Sequence, residues 1–131
     1  MAFAYQTEAL GSANGVELIV ALYDGIIRFL SRAKAAAEQG NTRERRLAVK
    51  RVLDIYLHLQ SRLRHDQAPA VAKTLEDFYA SMFHLTLEAS AANSRERFDE
   101  VIDCVASVRD AWRVVAHDKA AIQALQTVRT S

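Results

Sequence analysis

The chain has 131 residues, half of them hydrophobic, so it can bury one real core. Seventeen Lys+Arg against 16 Asp+Glu give a net charge of +1, which argues against a general polyanion binder whose affinity rests on excess positive charge. One Pro, four Gly and one Cys favour long helices over many short strands and exclude an internal disulfide framework.

The N-terminal stretch Met1 to Glu8 has neither the basic n-region nor the apolar h-region of a secretory signal. No apolar run approaches the roughly 18–20 residues that span a bilayer. Together with the lone cysteine, this gives the expectation of a cytosolic protein without membrane insertion.

The first helix is expected from about Gly15 to Gln39, opened by Asn14 with Glu17 in a capping box and stopped by Gly40. Its apolar residues Leu18, Leu22, Ile26, Phe29 and Ala33 recur at helical spacing. Asn41 with Glu44 repeats the capping logic for a second helix carrying Ala48, Val52, Ile55, Leu59 and Leu63. After a polar stretch, Pro69 suits the first turn of a third helix with Leu75, Phe78, Met82, Leu85 and Ala89 on one side. Asn93 with Glu96 marks a fourth, carrying Phe98, Val101, Val105, Val108, Trp112 and Val115. Beyond Ala116 the pattern weakens. A short amphipathic piece around Ala120 to Gln126 is read as a separate fifth helix or an extension of the fourth. The expected fold is therefore all-α: an antiparallel up-and-down four-helix bundle in a single domain over 1–131. Residues 1–13 form a flexible tail and 117–131 a weakly structured end.

Catalytic chemistry is not in the pattern. A di-iron bundle places Glu three residues before His, but Ile55, Arg62, Ser81 and Val114 precede His58, His65, His84 and His117. Cys104 stands alone, so zinc spacing is missing, and it reads as a small packed thiol at the margin of the fourth apolar face. No phosphate loop is present. The expectation is no catalytic residue, no metal and no cofactor. A phosphotransfer role for His58 is a distant third reading. Arg43, Arg46 and Lys50 share a face of the second helix, where Arg43 opposes the helix dipole; this is a solvated face or a dock for an acidic partner.

The informative feature is an excess of apolar faces. A core-facing helix needs a stripe of a little over ~100°, yet Leu18, Ile19, Leu22, Tyr23, Ile26, Ile27 and Leu30 cover about twice that arc. The second helix adds a row, Val49, Leu53 and Leu57, and the third adds Tyr79, Phe83 and Leu87. Such a surplus marks a groove for a partner helix or the seam of a homodimer, and the pattern leaves both open.

The stretch Glu17-Leu18-Ile19-Val20-Ala21-Leu22-Tyr23-Asp24-Gly25-Ile26-Ile27-Arg28-Phe29-Leu30 resembles the first-helix signature of the flagellin-specific export chaperones, the FliS family, written E-L-x-x-x-L-Y-D/E-G-x-I-x-F-L. Ala4-Tyr5-Gln6 resembles the family's tyrosine-bearing tail, Phe78-Tyr79-Ala80-Ser81-Met82 its L-Y-x-Y-M segment, and Val108-Arg109-Asp110-Ala111-Trp112 its closing R-D-x-W. Asn14-Gly15 stands where the family usually opens with Ser-Pro. The resemblance implies a cytosolic chaperone that binds the C-terminal region of flagellin, prevents premature polymerisation and helps deliver it to the flagellar export gate without ATP or metal. It also implies an N-terminal tail that covers part of the apolar surface until the client displaces it. Tyr5, Ile19, Tyr23, Val49, Leu53, Leu57, Tyr79, Phe83 and Leu87 are the expected partner-binding residues. The alternative is a homodimeric helical adaptor with no flagellin client.

Overall fold

The computed structural model describes the backbone of residues 13–130 and, outside positions 13, 14, 119, 122, 123 and 126–130, their side chains. Four helices account for nearly all of it: α1 Ala13–Glu38, α2 Thr42–Ser61, α3 Pro69–Ala91 and α4 Arg95–Thr130. No strand occurs among the described residues. The all-α, four-helix expectation is met. Residues 117–130, left between a separate helix and an extension, continue α4. Ala13 and Asn14 are already helical, so α1 starts ahead of the expected Asn14 cap; the Asn14 side chain and the tail before Ala13, Tyr5 included, lie outside the described residues.

The connections follow from local chemistry. Gly40 takes φ +70°, and the Asn41 N–H donates to the Ala36 carbonyl at 2.8 Å while the Gly40 N–H donates to Ala37 at 3.2 Å. This left-handed closure satisfies the last carbonyls of α1. Asn41 then caps α2, its Oδ1 accepting from the Glu44 N–H at 3.2 Å. Only half of the expected box forms, because Ala36 already takes the Asn41 N–H.

The third box is corrected. Asn93 adopts φ 51° and closes α3 as Gly40 closes α1, with Ser94 N–H to Ala89 at 3.0 Å and Asn93 N–H to Ser90 at 3.0 Å. A residue spent in the left-handed region cannot also be the cap of the next helix. That role passes to Ser94, whose Oγ accepts from the Arg97 N–H at 3.2 Å. Pro69 occupies the first turn of α3, as expected.

Contacts divide the chain into two compact units: Gly25–Val105, and the described parts of Met1–Asp24 with Ala106–Ser131. In Gly25–Val105, α2 and α3 pack on each other. Tyr56 and Thr86, both fully buried, share a hydrogen bond of 3.1 Å between their hydroxyls. Arg45 Nε donates to Ser90 Oγ at 3.2 Å, and Gln60 Nε2 to the Glu76 carbonyl at 3.4 Å. Low residue numbers on α2 thus meet high ones on α3, so the pair is antiparallel. Lys34 pairs with Asp99 at 2.8 Å and Glu38 with Arg95 at 3.8 Å, setting α1 antiparallel to α4 in the same unit. Asn93 ties the closed end together: its Oδ1 accepts from Arg45 Nη1 at 2.7 Å and its Nδ2 donates to the Ala37 carbonyl at 3.4 Å.

The second unit brings the N-terminal half of α1 to the C-terminal half of α4. Arg109 Nη1 donates to Asp24 Oδ1 at 3.1 Å, and Arg113 approaches the same oxygen at 3.6 Å. Asp110 accepts from Arg109 Nε at 3.2 Å. Val16 and Tyr23 are buried in this unit.

Candidate functional site

The apolar rows do not stand clear of the core as whole faces. On α2, Val49 is 5% exposed and belongs to the core, Leu53 is half-buried and Leu57 is 51% exposed. On α3, Tyr79 is 2% exposed, Phe83 half-buried and Leu87 43% exposed. The reason is helical geometry. At ~100° per residue an i, i+4, i+8 row drifts about 40° per step, so a row that starts at the core margin ends in solvent. The expectation that Val49 and Tyr79 are at least partly exposed is therefore not met.

The inward stripes shift accordingly. On α3 the buried residues are Ala72, Tyr79, Met82, Thr86, Ala89 and Ser90, while Leu85, expected inside, is exposed. Val115 on α4 is exposed as well. Thr86 carries a hydroxyl that periodicity of apolar residues does not mark as core; the Tyr56 hydroxyl opposite satisfies it and lets both be buried.

On α1, Tyr23 is fully buried and Ile19 half-buried. The wide arc from Leu18 to Leu30 is covered in part: Tyr23, Ile26 and Leu30 are buried, and Leu18, Ile19, Leu22 and Ile27 half-buried. None of these residues is fully exposed, and the half-buried ones keep some surface open.

What remains at the surface is a smaller set on the antiparallel α2–α3 pair. Leu57 and Leu87 are exposed and Leu53 and Phe83 half-buried, and the register set by Arg45–Ser90 and Gln60–Glu76 puts Leu53 level with Phe83. The side chains are branched or aromatic hydrocarbons, so the surface can bury apolar area against a partner.

The charged residues nearby are mostly engaged in solvent. Lys50 pairs with Asp54 at 3.3 Å and Lys73 with Asp77 at 2.9 Å, while Arg43 and Arg46 are exposed. His58, half-buried on α2, is held below the ordinary histidine range by partial burial and then by the positive charge of Arg62. Among the described residues no group of His, Cys, Asp or Glu has metal-site geometry. Among the described residues no helix is long and apolar enough to cross a membrane. Cys104 is exposed rather than packed: it sits beside the buried Val101–Val105 stripe, one residue off it, and faces outward.

The two most specific motifs of the sequence meet in the second unit. Asp24, from the Tyr23-Asp24-Gly25 signature, holds Arg109 of the Arg109-Asp110-Ala111-Trp112 segment. Gly25 lies beside α2: a Cβ there would sit 3.7 Å from Ile55 Cδ1, ordinary contact, so the glycine marks close helix approach rather than a steric necessity.

The sequence model of the family described as "Flagellar protein FliS" matches residues 1–119. The chain belongs to the FliS family. Its similarity extends to relatives named flagellar secretion chaperone FliS. That of Campylobacter jejuni is 32% identical over 120 residues, covering 92% of this chain and 94% of the relative. That of Vibrio cholerae is 29% identical over 103 residues, covering 79% and 76%. That of Salmonella typhimurium is 28% identical over 109 residues, covering 82% and 81%. FliS relatives are thus named as chaperones of flagellar secretion, a non-enzymatic class, and the Asp24–Arg109 contact joins two of the segments that resemble the FliS pattern.

Proposed function

We propose that this chain binds the C-terminal region of flagellin in the cytoplasm, keeps it from polymerising prematurely and helps deliver it to the flagellar export gate as a chaperone–client complex. The observation that carries this reading is the FliS match over residues 1–119, together with relatives named flagellar secretion chaperones, the one from Campylobacter jejuni matched over 94% of its length. The apolar side chains left at the surface of α2 and α3 support it, since a client that would otherwise self-assemble needs its own apolar face covered. Leu53, Leu57, Phe83 and Leu87 on α2 and α3 are the residues best placed to touch it, with Val49 and Tyr79 buried on the same two helices. Ile19 on α1 is a separate candidate, and Tyr23 is buried.

Calorimetric titration of a flagellin C-terminal fragment, paired with size-exclusion chromatography, tests the proposal. A saturable complex with loss of flagellin polymerisation is the expected result. A chain that elutes as a dimer and ignores the fragment would instead favour the homodimeric adaptor.

A further inference from the structure

Within Gly25–Val105, Lys34, Lys50, Arg64, Lys73 and Arg95 each sit beside a carboxylate. Arg28 and Arg32 on α1, and Arg43 and Arg51 on α2, are exposed and have no carboxylate partner among the described residues. These four gather along one seam. The helices run antiparallel through the Gln39–Asn41 turn, and a Cβ on Gly25 would lie 3.7 Å from Ile55 Cδ1. One turn from that contact toward the turn lie Phe29 and Arg51, level with each other. Arg28 and Arg32 both stand over the Phe29 ring, their guanidinium carbons 5.6 and 5.3 Å from its centroid. One turn beyond Arg51 comes Leu47, 50% exposed, and one turn further Arg43. The carboxylates of these two helices in this unit are Glu38, engaged by Arg95, Asp54, engaged by Lys50, and Glu44 at the turn end of the seam. Like charges so gathered repel, and Arg43 in the first turn of α2 opposes the helix dipole. Folding stability does not account for their placement.

We infer that the α1–α2 seam docks an acidic segment of another protein, one that carries an apolar side chain among its carboxylates. Charge complementarity sets the sign. The guanidinium fork takes a carboxylate through two parallel hydrogen bonds, and stacking on Phe29 holds two of the forks in place beforehand, which lowers the cost of ordering them. Between the arginines, half-buried Phe29 and exposed Leu47 offer hydrocarbon, which a peptide side chain uses and a phosphate backbone does not. The net charge of +1 also leaves little general attraction for a polyanion. Leu53 and Leu57 lie on another face of α2, so the inference does not depend on the flagellin client.

The test titrates the full chain with a short synthetic peptide of Asp and Glu interrupted by two leucines. Saturable binding is expected, weaker at high salt. Arg51→Gln and Arg32→Gln should each lower the affinity about two- to fivefold, and Arg32→Lys, which keeps the charge and loses the fork, should fall between. Arg51→Gln leaves no partner behind, so its melting temperature should match that of the natural protein. Arg97→Gln, exposed on α4, should bind as the natural chain does. Absence of saturable binding overturns the inference. So does equal binding of the same peptide with Asn and Gln in place of its acids, because apolar content alone then suffices. Equal weakening by Arg97→Gln overturns it by assigning the attraction to the whole molecule. Tighter binding of a single-stranded oligonucleotide, or of phosphatidylserine vesicles, makes the seam a nucleic-acid or membrane surface and overturns it as well.

Discussion

Arg109 on α4 reaches Asp24 on α1 across 3.1 Å, with the Arg109 side chain only 20% exposed. The carboxylate oxygen that accepts from Arg109 is also approached by Arg113, and Arg109 in turn donates to Asp110. Two helices separated by 85 positions in sequence are thereby held at a fixed register by a charge-assisted bond that is partly shielded from water.

This contact should have a measurable coupling. Asp24→Asn and Arg109→Leu, alone and together, are expected to give a double-mutant-cycle energy of about 1 kcal/mol in urea unfolding, the upper end for partly exposed ion pairs. The network around Asp24 shares Arg113, so the single Asp24 change should cost more than the single Arg113→Leu change. A coupling near zero would mean that the geometry contributes register but no stability.

The buried hydroxyl pair between α2 and α3 is a second site with a definite expectation. Thr86→Val keeps the shape of the side chain but removes the partner that Tyr56 meets at 3.1 Å. A loss of about 1–2 kcal/mol is expected from chemical unfolding. Adding Tyr56→Phe should cost less than the sum of the two single changes, because removing both ends of a buried bond leaves nothing uncompensated. Strict additivity would show that the bond carries no energy.

His58 predicts a pH dependence of sign opposite to a paired histidine. Its folded pKa lies below the ordinary value of about 6.5 because burial disfavours the charged form and Arg62 adds to the effect. Below pH ~6.5 the unfolded chain therefore binds a proton that the folded chain refuses. Stability is complete above that pH and declines as pH falls through the lowered folded value. Melting temperatures between pH 7.5 and 5 should fall less steeply in His58→Gln than in the natural protein. Equal slopes would assign the acid sensitivity to other groups.

The helices and most of the closures were legible in sequence because their signals are local. Gly40 needed a left-handed backbone, Asn41 offered a cap, and Pro69 suited a first turn; each is decided within a few residues. Asn93 shows the limit. Asn serves both as a cap and as a left-handed closer, and only the end of α3 decides between them. The site was less legible for a geometric reason. Periodicity finds rows, but which row faces inward depends on the neighbouring helix. Tyr79 and Leu85 were exchanged on α3 for that reason, while Tyr23 was hidden by cover that no local window contains.

The sharpest test of the binding surface uses two residues from each predicted row, chosen for opposite burial. Leu57 and Leu87 are 51% and 43% exposed, whereas Val49 and Tyr79 are 5% and 2% exposed. A charge at an exposed position stays in water in the free protein, so Leu57→Asp and Leu87→Asp should change unfolding free energy by no more than about 0.5 kcal/mol. In a complex with an apolar client segment the same carboxylate must lose its water without a partner. Binding should then weaken by about 2 kcal/mol, roughly thirtyfold, if the residue lies near the centre of the contact. Val49→Asp should instead unfold the α2–α3 pair, because it buries a charge where the native chain packs hydrocarbon. Tyr79→Ala should cost about 3–5 kcal/mol through the cavity it opens. Thermal melts and calorimetric titration of all four variants separate the two roles. If Leu57→Asp and Leu87→Asp fold and bind flagellin as the natural protein does, the client lies away from α2 and α3. The half-buried Ile19 on α1 and Trp112 on α4 then become the residues to change next.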